Sequence, residues 1–186
     1  PMCLMQPHKR AAYLDTGYFS LKAIKEAMLF GPVHIAASSK DSDYDYIPYD
    51  YHIPAGSAYF HCTSNNSIEG TEIFAFPETD VPMVCDMSSD IFSREINVAD
   101  FDLIYAGAQK NMGPAGLTLV IVKKALLQAI QNLIPSMSDY RIYDSHNSMF
   151  NTPPVFSIYV TMLNLRWLKE MGGVKQVEQK NIAKAN

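Results

Sequence analysis

Leu103-Ile104-Tyr105-Ala106-Gly107-Ala108-Gln109-Lys110 is the stretch on which the fold turns. Its first half is a short apolar run of strand character, and its second half is small residues that end in a lysine. Asn111-Met112-Gly113-Pro114 follows, closing on a Gly-Pro turn. A strand that empties into small residues and one amine suits a lysine held against a bound carbonyl. The other reading, a surface lysine at a strand exit, has equal standing on this stretch alone.

Working outward, Val81-Pro82-Met83-Val84-Cys85-Asp86 is a second apolar run closed by a polar group. Asp86 would emerge at the sheet edge where parallel α/β folds place ligands. Capping a helix is its plainer role. The 24 positions from Asp86 to Lys110 allow a right-handed crossover between parallel neighbours, short or irregular in form. A lysine and an aspartate at neighbouring strand ends are what a pyridoxal phosphate site needs: an amine for the aldehyde and an acid for the pyridine nitrogen. The apolar strand beside Lys110 would desolvate its amine and lower its pKa. Thr63, Ser88 and Gln109 lie beside strand ends and are candidates for the cofactor oxygens or phosphate, although turn hydroxyls more often serve the backbone.

The remaining elements fit an α/β fold, a mostly parallel sheet with flanking helices. Residues 33–37, 58–62 and 117–122 read as strands, and 70–74 as a short extended excursion. The run 117–122, dense in β-branched residues, is expected to be buried on both faces. Ser20 is expected to cap a helix reaching about Phe30, with Gly31-Pro32 ending it. A second helix is expected over 125–133. A third begins after Pro153-Pro154 and stops at Gly172-Gly173, with Phe156, Val160, Leu163 and Trp167 forming one apolar stripe for core or interface. The polar, tyrosine-rich stretch 38–56 is too long for an ordinary connection and reads as a site-covering or interface loop.

Composition excludes several classes. Net charge is −4 and the fifteen Lys and Arg residues are scattered, so nothing suggests nucleic acid. No apolar run approaches membrane-spanning length, and no secretory leader is visible. Cys3, Cys62 and Cys85 have no paired spacing; Cys62 and Cys85 read as small buried residues, and a reducing cytoplasm is expected. A zinc site from His61, Cys62 and Cys85 lacks credible spacing. Both ends of the chain read as cut from something longer.

Four separated segments carry a resemblance. His61-Cys-Thr-Ser-Asn-Asn66, Val84-Cys-Asp-Met-Ser-Ser-Asp-Ile-Phe-Ser-Arg94, Tyr105-Ala-Gly-Ala-Gln-Lys-Asn-Met-Gly-Pro-Ala-Gly116 and Ser148-Met-Phe-Asn-Thr-Pro-Pro154 closely resemble the phosphoserine aminotransferase family. The resemblance runs from about residue 12 to about residue 180, and residues 181–186 would begin a truncated carboxy-terminal region. It implies the large-domain core of a fold-type-I pyridoxal phosphate enzyme, incomplete on the amino-terminal side and without the carboxy-terminal small domain. It also implies a homodimer and amino transfer from L-glutamate to 3-phosphohydroxypyruvate.

By that resemblance Lys110 would form the Schiff base and move the proton, and Asp86 would pair with the pyridine nitrogen. Thr63 would face the ring oxygen, Gln109 the phosphate, and Ser88 the same cofactor edge. Asn151 and Thr152 would reach the phosphate of a partner subunit's cofactor. Phe19 stands where the family usually stacks a tryptophan on the ring, which covers less area and lacks the indole donor. Family members are roughly twice as long, and Arg10, Arg94, Arg141 and Arg166 have no match among the family's substrate-clamping cations. Another fold-type-I enzyme, such as a lyase or desulfurase, and a non-catalytic dimerising fragment are the alternatives.

Overall fold

The computed structural model describes residues 1–6 and 8–185. Strands β1 (Ala11–Asp15), β2 (Val33–Ser38), β3 (Phe60–Thr63), β6 (Met83–Asp86), β7 (Leu103–Gly107) and β8 (Thr118–Val122) make one sheet in the order β2-β1-β3-β6-β7-β8; β4 (Asn65–Asn66) and β5 (Thr71–Glu72) form a separate antiparallel pair. The first five strands of the sheet run parallel, and β8 is antiparallel to β7. The expected mostly parallel α/β sheet is therefore present.

β1 was not anticipated. Its five residues are all buried, and Ala-Ala-Tyr-Leu-Asp offers neither alternation nor a β-branched run to announce a strand. It is nonetheless the pivot of the topology. The chain runs from β1 to β2 on one side, then returns past β1 to form β3 on the other. In open α/β sheets the crevice at such a reversal, at the carboxyl ends of the strands, is where ligands bind.

Alternation splits the core. One face holds Ala12, Leu14, Phe60, Cys62, Met83, Cys85, Ile104 and Ala106, covered largely by irregular segments that contribute Ile47, Ile53, Ile73, Phe76 and Phe92. The stretch 38–56 does part of this covering, and His52 N–H donates to Ala36 O across the outer edge of β2. The opposite face holds Ala11, Tyr13, Tyr59, Val84 and Leu103. Helix α1 (Tyr18–Met28) packs there through Ile24 and Ala27, as does Leu127 of the short helix α2 (Lys124–Gln128).

Three local expectations are corrected. Ser20 lies inside the first turn of α1, which starts at Tyr18. Its hydroxyl accepts from the Thr16 and Gly17 N–H groups and donates to Gly17 O. Helix α2 is five residues long, shorter than expected, and α3 (Tyr140–Ser145) follows separately. β8 is an edge strand only part-buried, since among the described residues no strand pairs with its outer side. Helix α4 (Val155–Glu170) spans the expected stretch. Its apolar stripe faces outward, with Phe156 74% and Trp167 57% exposed, while the residues it buries are Ser157 and Thr161. Helix α5 (Gly173–Ala185) continues across position 180 without a break.

Candidate active site

Register places the functional groups in a row. Thr63 of β3, Asp86 of β6 and Tyr105 of β7 are direct neighbours across three parallel strands, on the face opposite the Phe60, Cys62 and Cys85 layer. All three stand at or near the carboxyl ends, beside the β1–β3 reversal. One position along, the chain leaves the sheet in tight turns stitched to one another. Asp86 Oδ1 accepts from Ser88 N–H at 2.9 Å, and Ser88 Oγ accepts from Gly107 N–H at 3.1 Å. Ser88 thus ties the exit of β6 to that of β7. Ser64 Oγ donates to Asp86 O at 2.9 Å, linking β3 to the same point.

Lys110 lies three residues beyond β7, in the turn. Its Nζ donates to Ser67 Oγ at 3.1 Å and stands 5.4 Å from the centroid of the Phe19 ring. The lysine and the expected stacking residue therefore come together, although one leaves the sheet and the other rides the first turn of α1. Lys110 is exposed, so the desolvation expected around its amine is absent from this chain. Gln109 is also exposed, and its amide folds over Gly107, whose hypothetical Cβ would come within 3.0 Å of all three Gln109 amide atoms.

Two groups that sequence reading passed over complete this corner. Ser67 supplies the hydroxyl nearest the amine. Glu69 accepts from the Tyr18 N–H through Oε1 at 2.7 Å, placing a negative carboxylate at the amino end of α1, where the helix dipole favours it. Gly17 makes this possible, since any Cβ there would come within 2.9 Å of the Glu69 carboxyl atoms. Only the two-residue spacing of Ser67 and Glu69 after Asn65-Asn66 hints at them in the sequence. Their partners lie some forty to fifty residues away.

Below Asp86 the same face is polar and aromatic. His61 Nε2 is 3.0 Å from the Tyr105 hydroxyl, and the His61 ring stacks on Tyr13 at 4.6 Å. The Tyr13 and Tyr59 hydroxyls are 2.8 Å apart. Burial pushes the His61 imidazole down to about 4, against the pull of the Asp86 carboxylate, so it is neutral near pH 7. Burial, then Asp86, pushes the Tyr105 phenol up. A half-open cavity of ≈ 560 Å³ lies against these side chains, with Val84, Leu103 and Tyr140 also in its wall.

The donor set fits pyridoxal phosphate. An amine, a flat ring and a hydroxyl meet at Lys110, and a carboxylate ends the adjoining strand. Thr63 Oγ1, on a residue 4% exposed, is buried without a hydrogen-bond partner in the same row. Asn151 and Thr152 lie elsewhere. They are exposed just before α4, beside a groove walled by β8, and the Asn151 side chain donates only to Thr152 O. Among the described residues no cluster of His, Cys, Asp and Glu could hold a metal, and all three cysteines are free and buried.

The mostly parallel sheet carries an aspartate at one strand exit and a lysine just beyond the next, and comparison with known proteins shows the family. The chain belongs to the class-V aminotransferase family, whose model matches residues 5–186. It is 58% identical over all 186 residues to a phosphoserine aminotransferase of Flavobacterium johnsoniae, covering 52% of that protein. It is 54% identical over 178 residues to a phosphoserine aminotransferase of Bacteroides thetaiotaomicron, covering 96% of this chain and 50% of that protein. The solved structure of phosphoserine aminotransferase from Bacillus circulans subsp. alkalophilus superposes on the whole chain with a TM-score of 0.97 at 45% identity, over 52% of its own length. The chain thus spans about half the length of the curated relatives it matches.

Proposed function

We propose that the natural protein carrying this chain is a pyridoxal phosphate-dependent aminotransferase that moves the amino group of L-glutamate to 3-phosphohydroxypyruvate. The products are O-phospho-L-serine and 2-oxoglutarate, which places the protein in serine biosynthesis. The observation that carries the reading is the meeting of Lys110, Ser67 and Phe19 at the exit of β7, one strand from Asp86. The choice of substrates rests on the relatives' names and on the 58% identity that spans this chain.

When bound, pyridoxal phosphate supplies an electron sink that allows the Cα–H bond of an amino acid to break near neutral pH. The chain's residues do the rest. Phe19, beside the amine, would cover one face of the ring. Lys110 Nζ is the amine that would hold the cofactor aldehyde, and it would serve as the base that moves a proton to and from the substrate Cα. The unpartnered Thr63 hydroxyl is assigned to the ring oxygen, and Ser67 Oγ lies within hydrogen-bond reach of the amine. Asp86 would pair with the pyridine nitrogen and keep it protonated, its carboxylate held by the Ser88 N–H. Gln109 and Ser88 are assigned to the phosphate side.

The unit assigned to this chemistry is residues 12–180. Arg94 is engaged by Glu72 at 2.7 Å and by Asp90 at 3.4 Å, and Arg141 by Asp139 at 2.7 Å. Neither is assigned to the anionic substrate. A homodimer is proposed on two grounds: the exposed apolar row of α4 (Phe156, Tyr159, Leu163, Trp167) and the position of Asn151 and Thr152 beside it, free to reach a partner's phosphate. No helix among the described residues is long and apolar enough to cross a membrane. With three free cysteines, a reducing cytoplasm is the proposed location. The test is product analysis: glutamate-dependent formation of phosphoserine supports the reading, whereas release of sulfide or ammonia with no phosphoserine points to a lyase or desulfurase.

A further inference from the structure

Helix α4 meets the body of the protein through its polar side. Ser157, Thr161 and Asn164 fall at i, i+4 and i+7 and so share one face. All three meet the loop that follows Lys110. Ser157 Oγ donates to Ala115 O at 2.9 Å. Gly113 lies so close to the helix that a Cβ there would stand 3.2 Å from Thr161 Cα. Asn164 Nδ2 donates to Asn111 O at 3.3 Å and to Met112 O at 2.9 Å. Asn111 passes the restraint on: its Nδ2 donates to Ser89 O at 3.2 Å and to Ile91 O at 3.1 Å, in the loop that follows Asp86. Each amide spends both of its protons on backbone carbonyls, and together they clasp the two loops that carry the cofactor-site residues to one rigid helix.

We infer that Asn164 is a positioning residue for Lys110, acting through the Asn111 backbone and the Asn111 amide to hold the amine in register with Asp86. This rests on the assignment of Lys110 made above. Lys110 is exposed and its amine has one hydrogen bond, to a loop serine, so its own contacts fix it weakly. The clasp behind residues 111–112 supplies the missing order. It narrows the positions from which the amine meets a bound aldehyde, and that narrowing is what sets the rate of an oriented reaction.

The test uses the natural protein that carries this chain. Pyridoxal phosphate is added, the lysine linkage is trapped by borohydride, and the rate and site of labelling are read by peptide mapping, with thermal melting in parallel. Asn164→Asp keeps the shape of the side chain but turns an oxygen toward two carbonyl oxygens. Asn164→Ala leaves a hole that water can fill. Positioning by donation predicts labelling of Lys110 about tenfold slower in Asn164→Asp, and at least as slow as in Asn164→Ala. A simple packing role predicts the reverse order. Labelling at the wild-type rate in Asn164→Asp, or a slower rate in Asn164→Ala than in Asn164→Asp, overturns the inference. Asn111→Asp removes the second pair of donors without touching α4, and keeps the proposal decidable if the helix variants do not fold. It too is expected to label about tenfold more slowly, and wild-type labelling there counts against the clasp. Lys110→Ala separates the two levels: if it still labels, the assignment of Lys110 fails, whereas if it alone loses the label, only the clasp is wrong.

Discussion

On β3, Phe60 and Cys62 point into one layer of the molecule while His61 and Thr63 point into the other. β6 and β7 repeat the division, with Cys85 and Ile104 on the apolar side, Asp86 and Tyr105 on the other. The apolar face is built almost wholly of hydrocarbon and stabilises the sheet by removing it from water. The polar face leaves Thr63 Oγ1 and His61 Nδ1 buried without partners and is backed by a cavity. Unpaired buried polar groups cost stability, so that face is built for something other than holding the sheet together. Alternation lets three short strands serve as scaffold and site at once.

The division can be broken from either side. Lys110→Ala should abolish borohydride-trapped labelling entirely while leaving the melting temperature nearly unchanged, since the side chain is exposed. A large drop in melting temperature would mean that the lysine belongs to the scaffold. Phe60→Ala on the apolar face is expected to cost about 3–5 kcal/mol in denaturant titrations. A loss below about 1 kcal/mol would show that this layer is not the main source of stability.

His61 offers a third cut. Its folded pKa, about 4, lies below the usual 6.5, so as pH falls the unfolded chain takes up the proton first. Its contribution is complete above about 6.5 and is lost progressively as pH falls toward about 4, amounting to at most ~3 kcal/mol. Replacing it in His61→Gln should flatten stability across that window in denaturant titrations, and an unchanged slope would assign the loss to other groups. The smallest effect is expected at Phe19. Phe19→Ala removes the ring face beside Lys110 and should weaken cofactor retention severalfold, about 1 kcal/mol, measured by equilibrium dialysis. Equal retention by both proteins would remove Phe19 from the site.

Much of this was legible in the letters. The apolar runs ending at Asp86 and before Lys110 are strands of the expected kind, and both residues leave them at the same end of the sheet, because a parallel pair directs both exits one way. β1 was hidden because a strand buried on both faces need not alternate. The outward turn of α4 was hidden because an apolar stripe shows that a helix has a face but not what covers it. On this chain that stripe lies exposed, while Ser157, Thr161 and Asn164 do the docking.

The sequence by itself determined the strand alternation, the α/β class and the placing of a lysine and an aspartate at neighbouring strand ends, because period, turn chemistry and residue type are local properties. Only the tertiary structure decided that Ser67 meets Lys110, that Glu69 fixes the start of α1 and that Asn164 holds the lysine loop. Each of those contacts joins groups 43 to 53 positions apart. At such separations the meeting of two side chains depends on how strands and helices pack, which no local pattern records.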